Sequence, residues 1–173
     1  MKKVKGPTIL TASGDYFSFE DFEKSPIRIG DIAHALSNVC RFGGHCQHYY
    51  SVAQHSVLVS MIVPNEHAFQ ALLHDATEAF LGDMVKPLKE IMPQFQAVED
   101  NLERAIFRRF GLPEEMPACI KTADLVLLAT EQRDVMKNRD LWTWTDKVTP
   151  LKKTIYPMLP NQARQYFMDR YRQ

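Results

Sequence analysis

The chain has 173 residues, 45% of them hydrophobic, with 21 basic and 21 acidic side chains and zero formal net charge. That length and composition suit one globular domain, residues 1–173, with a real core. The balanced charge argues against a protein that coats nucleic acid or rides a membrane surface, though a local basic pocket is still allowed.

Residues 8–19, TILTASGDYFSF, hold two β-leaning runs joined by Ser13-Gly14-Asp15, the pattern of a small hairpin. The basic start Met1-Lys2-Lys3 is cut off by Gly6-Pro7-Thr8 before any signal-like apolar run. Gly30 or Asp31 opens a helix, IAHALSNV, which ends in the loop Arg41-Phe42-Gly43-Gly44-His45. A second helix runs from about Tyr49 to Val63 and stops at Pro64. Its inward stripe is Val52, His55, Val59 and Ile62, so a histidine stands where an apolar residue is the default.

Asn65 caps a helix expected over Glu66–Leu81, which carries His74-Asp75 and, one turn on, Glu78 before Gly82-Asp83. Lys86-Pro87-Leu88-Lys89 reads as a basic turn, followed by a helix from Pro93 to Phe110. The next helix, about Glu114 to Lys137, aligns Ile120, Asp124, Leu127 and Glu131. Residues 138–160, with Trp142 and Trp144, look irregular, and a last helix covers Asn161–Tyr171. The expected architecture is all-α, a single helical bundle with a small N-terminal hairpin.

Three apolar stripes thus carry misplaced polar residues: His55, the His74-Asp75 pair, and Asp124. Each alone is more simply a satisfied core polar group. Together they offer two imidazoles and two carboxylates on separate helices, a donor set for one divalent ion. Four ligands in an octahedral field leave positions open, as in a catalytic rather than a structural site. The alternative set Cys40, His45, Cys46 and His48 has the spacing C-x4-H-C-x-H, which fits no usual zinc knuckle. The three cysteines, Cys40, Cys46 and Cys119, form no C-x-x-C and point to a reduced, cytoplasmic chain.

His55, His74-Asp75 and Asp124, in that order, resemble the H…HD…D signature of HD-domain metal-dependent phosphohydrolases. The likeness extends through SVAQHS (51–56), LLHDATEAFLGDM (72–84), KPLK (86–89) and TADLVLLATE (122–131), so that it organises residues 30 to 131. It is nearest to the 5′-deoxynucleotidase, or YfbR-like, branch, which has a basic-aromatic pair before the first histidine and a glutamate four residues after the second. Arg41-Phe42 and Glu78 fill those positions, with Phe where the bacterial deoxynucleotidases carry Trp. Compact length and the RFGGH loop look most like small phage dATP triphosphohydrolases, which release deoxyadenosine and triphosphate and would work in the host cytoplasm.

The resemblance implies one catalytic transition metal, Co, Mn, Zn or Fe, held by His55, His74, Asp75 and Asp124, with Mg or Mn accompanying a triphosphate. The ion would polarise the α-phosphate and lower the pKa of a water. Glu78 would orient or deprotonate that water or protonate the leaving oxygen, and Asp83 would position a water or the 5′-oxygen. Arg41 would grip phosphate, Phe42 would pack on sugar or base, and Lys86 and Lys89 would neutralise a triphosphate tail, with Lys121 a weaker candidate. A deoxynucleoside 5′-monophosphatase is the alternative within the same chemistry, and a silent nucleotide-binding module lies outside it. The expected partner is a small deoxynucleotide, with no nucleic acid or membrane, and the expected assembly is a dimer or hexamer of identical chains.

Overall fold

The computed structural model describes Val4 and residues 6–173; the basic start at Met1-Lys2-Lys3 lies outside them. Strands β1 (Thr8–Leu10) and β2 (Tyr16–Ser18) pair antiparallel with Ile9 opposite Phe17. The turn between them is fastened to the next element, because Asp31 accepts hydrogen bonds from the Ser13 backbone N–H (2.8 Å) and hydroxyl (2.7 Å). Asp31 therefore lies inside the first turn of α1 (Ile29–Asn38), where a carboxylate also suits the helix dipole.

Helix α2 (Val52–Ser60) begins where the Ser51 hydroxyl accepts from the Gln54 N–H at 3.2 Å, and is shorter at both ends than its apolar pattern. It packs against α1, α3 (Ala68–Leu72), α7 (Ala118–Val135) and α8 (Pro160–Tyr171), so His55 lies among other helices. One cluster of buried side chains joins hairpin, α1, α2 and α8 through Phe17, Leu36, Val57 and Phe167. A second, around Val59, Ile120, Leu127 and Ile155, fills the space between α2 and α7.

The helix expected over Glu66–Leu81 is broken. A 3-10 turn (Asn65–His67) leads into α3, residues 73–77 form turns, and α4 (Glu78–Leu81) is a single turn. The cause is local competition for backbone acceptors. The His74 ring Nδ1 donates to the Ala71 carbonyl at 2.7 Å, the group that would accept from residue 75 in a continuous helix. Contacts from Leu73 to Phe80 run mostly to the residue three back, a tighter winding than an α-helix. The stacking of His74 under Glu78 on one α-helical face is therefore replaced by a wound segment that presents His74, Asp75 and Glu78.

The basic turn forms the short helix α5 (Lys86–Lys89), and α6 follows over Pro93–Arg109. Residues 138–159 lack regular secondary structure, apart from turns, as expected. They are held along α7 by side chains: the Thr130 hydroxyl accepts from Leu151 N–H, Arg133 donates to the Leu151 carbonyl, and Asp134 accepts from Ile155 N–H. No helix among the described residues is long and apolar enough to cross a membrane.

Candidate active site

Four ligand-type side chains meet where α2, the 73–77 turn and α7 come together. Nε2 of His55 lies 3.2 Å from Nε2 of His74, 3.2 Å from Oδ1 of Asp124 and 3.4 Å from Oδ2 of Asp75. Nε2 of His74 is 3.2 Å from the same Asp75 oxygen. Ligands at the usual 2.0–2.2 Å from a divalent ion sit about 3 Å from one another, so the spacing fits a shared centre.

The outer hydrogen bonds say what these atoms are. His55 Nδ1 donates to Glu131 Oε1 at 2.6 Å, and His74 Nδ1 donates to the Ala71 carbonyl. With both Nδ1 positions committed, the two Nε2 atoms face each other and two carboxylate oxygens as lone pairs, an arrangement that calls for a cation. The donor set, two nitrogens and two oxygens, suits a first-row divalent metal. His55, His74 and Asp124 offer ligand atoms within 4.8 Å of one another, and among the described residues they form the one such group, with none around Cys40, His45, Cys46 and His48.

Charge balance points the same way. Burial and the Arg41 charge oppose a proton on His55, yet Glu131 and Asp124 outweigh them and push its pKa up to about 9. Burial also opposes ionised Asp75, but His74, His55 and Arg41 hold its carboxyl well below the ordinary range. Asp124 is lowered too, with burial outweighed by His55 and His74. The site is built to hold anionic ligands around positive charge.

The histidines lie behind this cluster, while the Asp75 and Asp124 side chains, 22% and 39% exposed, open onto a cavity of about 590 Å³. Arg41 and Glu78 also line it. Arg41 is 9% exposed and donates to Glu131 (3.1 Å) and Asp75 (3.4 Å), leaving its Nε buried without a partner. Glu78 is 5% exposed and its Oε2 is likewise unpartnered. Burial, then Asp75 and Asp83, push the Glu78 carboxyl well above its ordinary range, which favours its protonated form.

The Arg41–Gly44 turn sets the geometry around Arg41. Phe42 has a φ of 57° and is followed by Gly43 at 59° and Gly44 at 83°. A left-handed phenylalanine costs about 1–2 kcal/mol, and the Phe42 N–H is held by Asp83 Oδ2 at 3.1 Å. Two adjacent side chains thereby both reach the cavity, Arg41 at the carboxylates and Phe42 6.0 Å from the Trp142 ring.

Lys86 and Lys89 both line the cavity, but Lys89 is bound to Glu99 at 2.7 Å and Lys86 stands over the Trp144 ring at 5.4 Å. Lys121 is exposed and is not part of the lining. Three residues gain importance only in three dimensions. Glu131 shares the stripe of Asp124, seven residues on, and that alignment was its one signal in the sequence. Trp142 and Trp144 gave none beyond their composition.

The family of 5′-deoxynucleotidase YfbR-like proteins matches residues 46–171. The chain is 42% identical over 165 residues to the uncharacterised protein YfdR of Escherichia coli, covering 94% of this chain and 93% of that protein. An uncharacterised protein of Rhodobacter capsulatus is 39% identical over 121 residues, covering 64% of this chain and 62% of its own length. With a match over most of its length and the HD-type cluster in place, the chain belongs to the YfbR-like 5′-deoxynucleotidase family of metal-dependent phosphohydrolases.

Proposed function

We propose that the protein hydrolyses the 5′-phosphate of deoxynucleoside monophosphates, releasing the nucleoside and orthophosphate. The observation that carries this reading is that His55 Nε2 lies 3.2–3.4 Å from ligand atoms of His74, Asp75 and Asp124, in a cluster opening through Asp75 and Asp124 onto a cavity that also holds Arg41 and Glu78. A divalent metal held by His55, His74, Asp75 and Asp124 would polarise the phosphoryl group and lower the pKa of the attacking water.

The chain's own residues supply the rest. Arg41 directs its guanidinium at the phosphate, kept in place by Glu131 and Asp75. Asp83, fixed by the Phe42 N–H, takes the water's proton as the new bond to phosphorus forms. Glu78 gives its proton to the 5′-oxygen as the P–O bond breaks, a role suited to a carboxyl whose proton affinity is raised by burial and its acidic neighbours.

A second reading, hydrolysis of dATP to deoxyadenosine and triphosphate, draws support from Lys86 and Lys89 on the cavity wall. The shorter tail fits better because the Lys89 ammonium is already engaged by Glu99. Few cations then face a triphosphate, while several carboxylates would repel it.

Ion-exchange analysis after incubation with each dNMP, each dNTP and ATP, with His74→Ala as control, separates the readings. Orthophosphate from dNMPs with dNTPs intact is the expected result. Inorganic triphosphate from dATP, with dNMPs untouched, would replace it with the second reading.

A further inference from the structure

The irregular segment between α7 and α8 brings Trp142 and Trp144 to the cavity that holds the phosphohydrolase residues. It does so with fixed geometry. Thr145 is buried, its N–H donates to the Trp142 carbonyl at 2.9 Å, and the Gln132 side chain donates to the Asp140 carbonyl just before. The two rings are not packed away. Trp144 is 36% exposed, and the cavity-facing Trp142 is partly exposed beside Phe42 at a tilt of 51°.

Leu128 and Met136 of the α7 side continue this apolar wall, on which the Lys86 ammonium rests over Trp144. The polar side chains that line the cavity are acidic or basic; among the described residues none is Asn, Gln, Ser or Thr. No neutral amide or hydroxyl is therefore on hand to offer a base edge both a donor and an acceptor. The basic groups that could read an edge are engaged already, Arg41 by Glu131 and Asp75, Lys89 by Glu99 and Lys86 over Trp144. The wall instead offers faces and methyl groups.

We propose that Trp142 and Trp144, with Phe42, form the nucleobase subsite, and that it recognises the base by its face. Affinity then follows ring area, purines above pyrimidines, with little distinction between adenine and guanine. This rests on the nucleotide reading above but not on the length of the phosphate tail.

The chain contains two tryptophans, and both are here, so fluorescence excited at the red edge, where only tryptophan absorbs, reports on this subsite alone. The protein as purified is titrated with deoxyadenosine, deoxyguanosine, thymidine and deoxycytidine, with 2-deoxyribose as control. Saturable quenching by the nucleosides is expected, several-fold tighter for purines, with the two purines within about threefold of each other. No quenching by any nucleoside, or a steep preference for one purine, overturns the proposal.

Kinetics of Trp142→Ala and Trp144→Ala provide the second arm. The ratio of kcat/KM for dAMP to that for 2-deoxyribose 5-phosphate should fall about tenfold, mostly through KM. An equal loss on both substrates in both variants overturns the subsite. A wild-type protein that hydrolyses neither substrate would instead count against the monophosphatase reading, and the fluorescence titration then decides the subsite by itself.

Discussion

Nδ1 of His55 and Oε1 of Glu131 lie 2.6 Å apart, and both side chains are wholly buried. The other Glu131 oxygen accepts from Arg41 at 3.1 Å. One carboxylate thus fixes the ring of a ligand-type histidine and the guanidinium that lines the cavity. Removing it with Glu131→Ala should weaken metal binding about 10–100-fold and destabilise the fold by about 3–5 kcal/mol, because Arg41 is left under-compensated. Glu131→Gln keeps an acceptor for His55 and should recover most of the metal affinity but less of the stability. Calorimetric metal titration and urea unfolding of both variants check this; wild-type metal affinity in Glu131→Ala would refute it.

The same contact gives the metal-stripped protein a pH signature. His55 is raised from 6.5 to about 9 in the folded chain, so protonation favours the fold. The stability it adds is fully present below about pH 6.5 and is lost as pH rises through about 9. Metal must displace that proton, so the protection conferred by metal should grow over the same window. Thermal unfolding at several pH values, with chelator and with metal, measures both trends. A metal-stripped protein that gains stability toward pH 9 would contradict the account.

Arg41 reaches two carboxylates as a planar fork, at 3.1 and 3.4 Å. A lysine ammonium cannot reproduce that spread. Arg41→Lys should therefore raise KM about tenfold or more while leaving bound metal near wild type by elemental analysis. Loss of metal together with activity would show that Arg41 supports the cluster rather than the substrate.

The hairpin matters to the whole bundle. Phe17 is wholly buried, with its ring 4.2 Å from that of Phe80 and in edge contact with Phe19. Phe17→Ala should cost about 3–5 kcal/mol by chemical denaturation. A loss under 1 kcal/mol would mean that the hairpin packs independently of the core.

Much of this architecture was legible in the sequence because burial of a polar side chain breaks a regular pattern. His55 and Asp124 stand on stripes of otherwise apolar residues, and the meeting of those stripes follows from helix packing. The break at residues 73–77 was not legible, since it depends on the His74 ring taking the Ala71 carbonyl, which no propensity encodes. Nor was the placing of Trp142 and Trp144, which follows from bonds between α7 side chains and a distant backbone. Glu131 was on the right stripe, but its partners come from Arg41 and His55, 90 and 76 residues away.

Helix α7 is used on more than one side. Asp124 and Glu131 turn toward the cluster, while Thr130, Gln132, Arg133 and Asp134 hold the segment that follows. From Ala123 to Val135 every position is buried or half-buried, Asp124 opening only onto the cavity. A helix lying on a protein surface forgives substitution every third or fourth residue, and a saturation scan of it shows that beat. A scan of α7 should show tolerance near its start at Ala118, Lys121 and Thr122, with Ile120 between them sensitive, and then a flat run of sensitive positions. Sequence drift among relatives would have to route around this helix, with change concentrated in the segments it grips rather than in the residues that grip them.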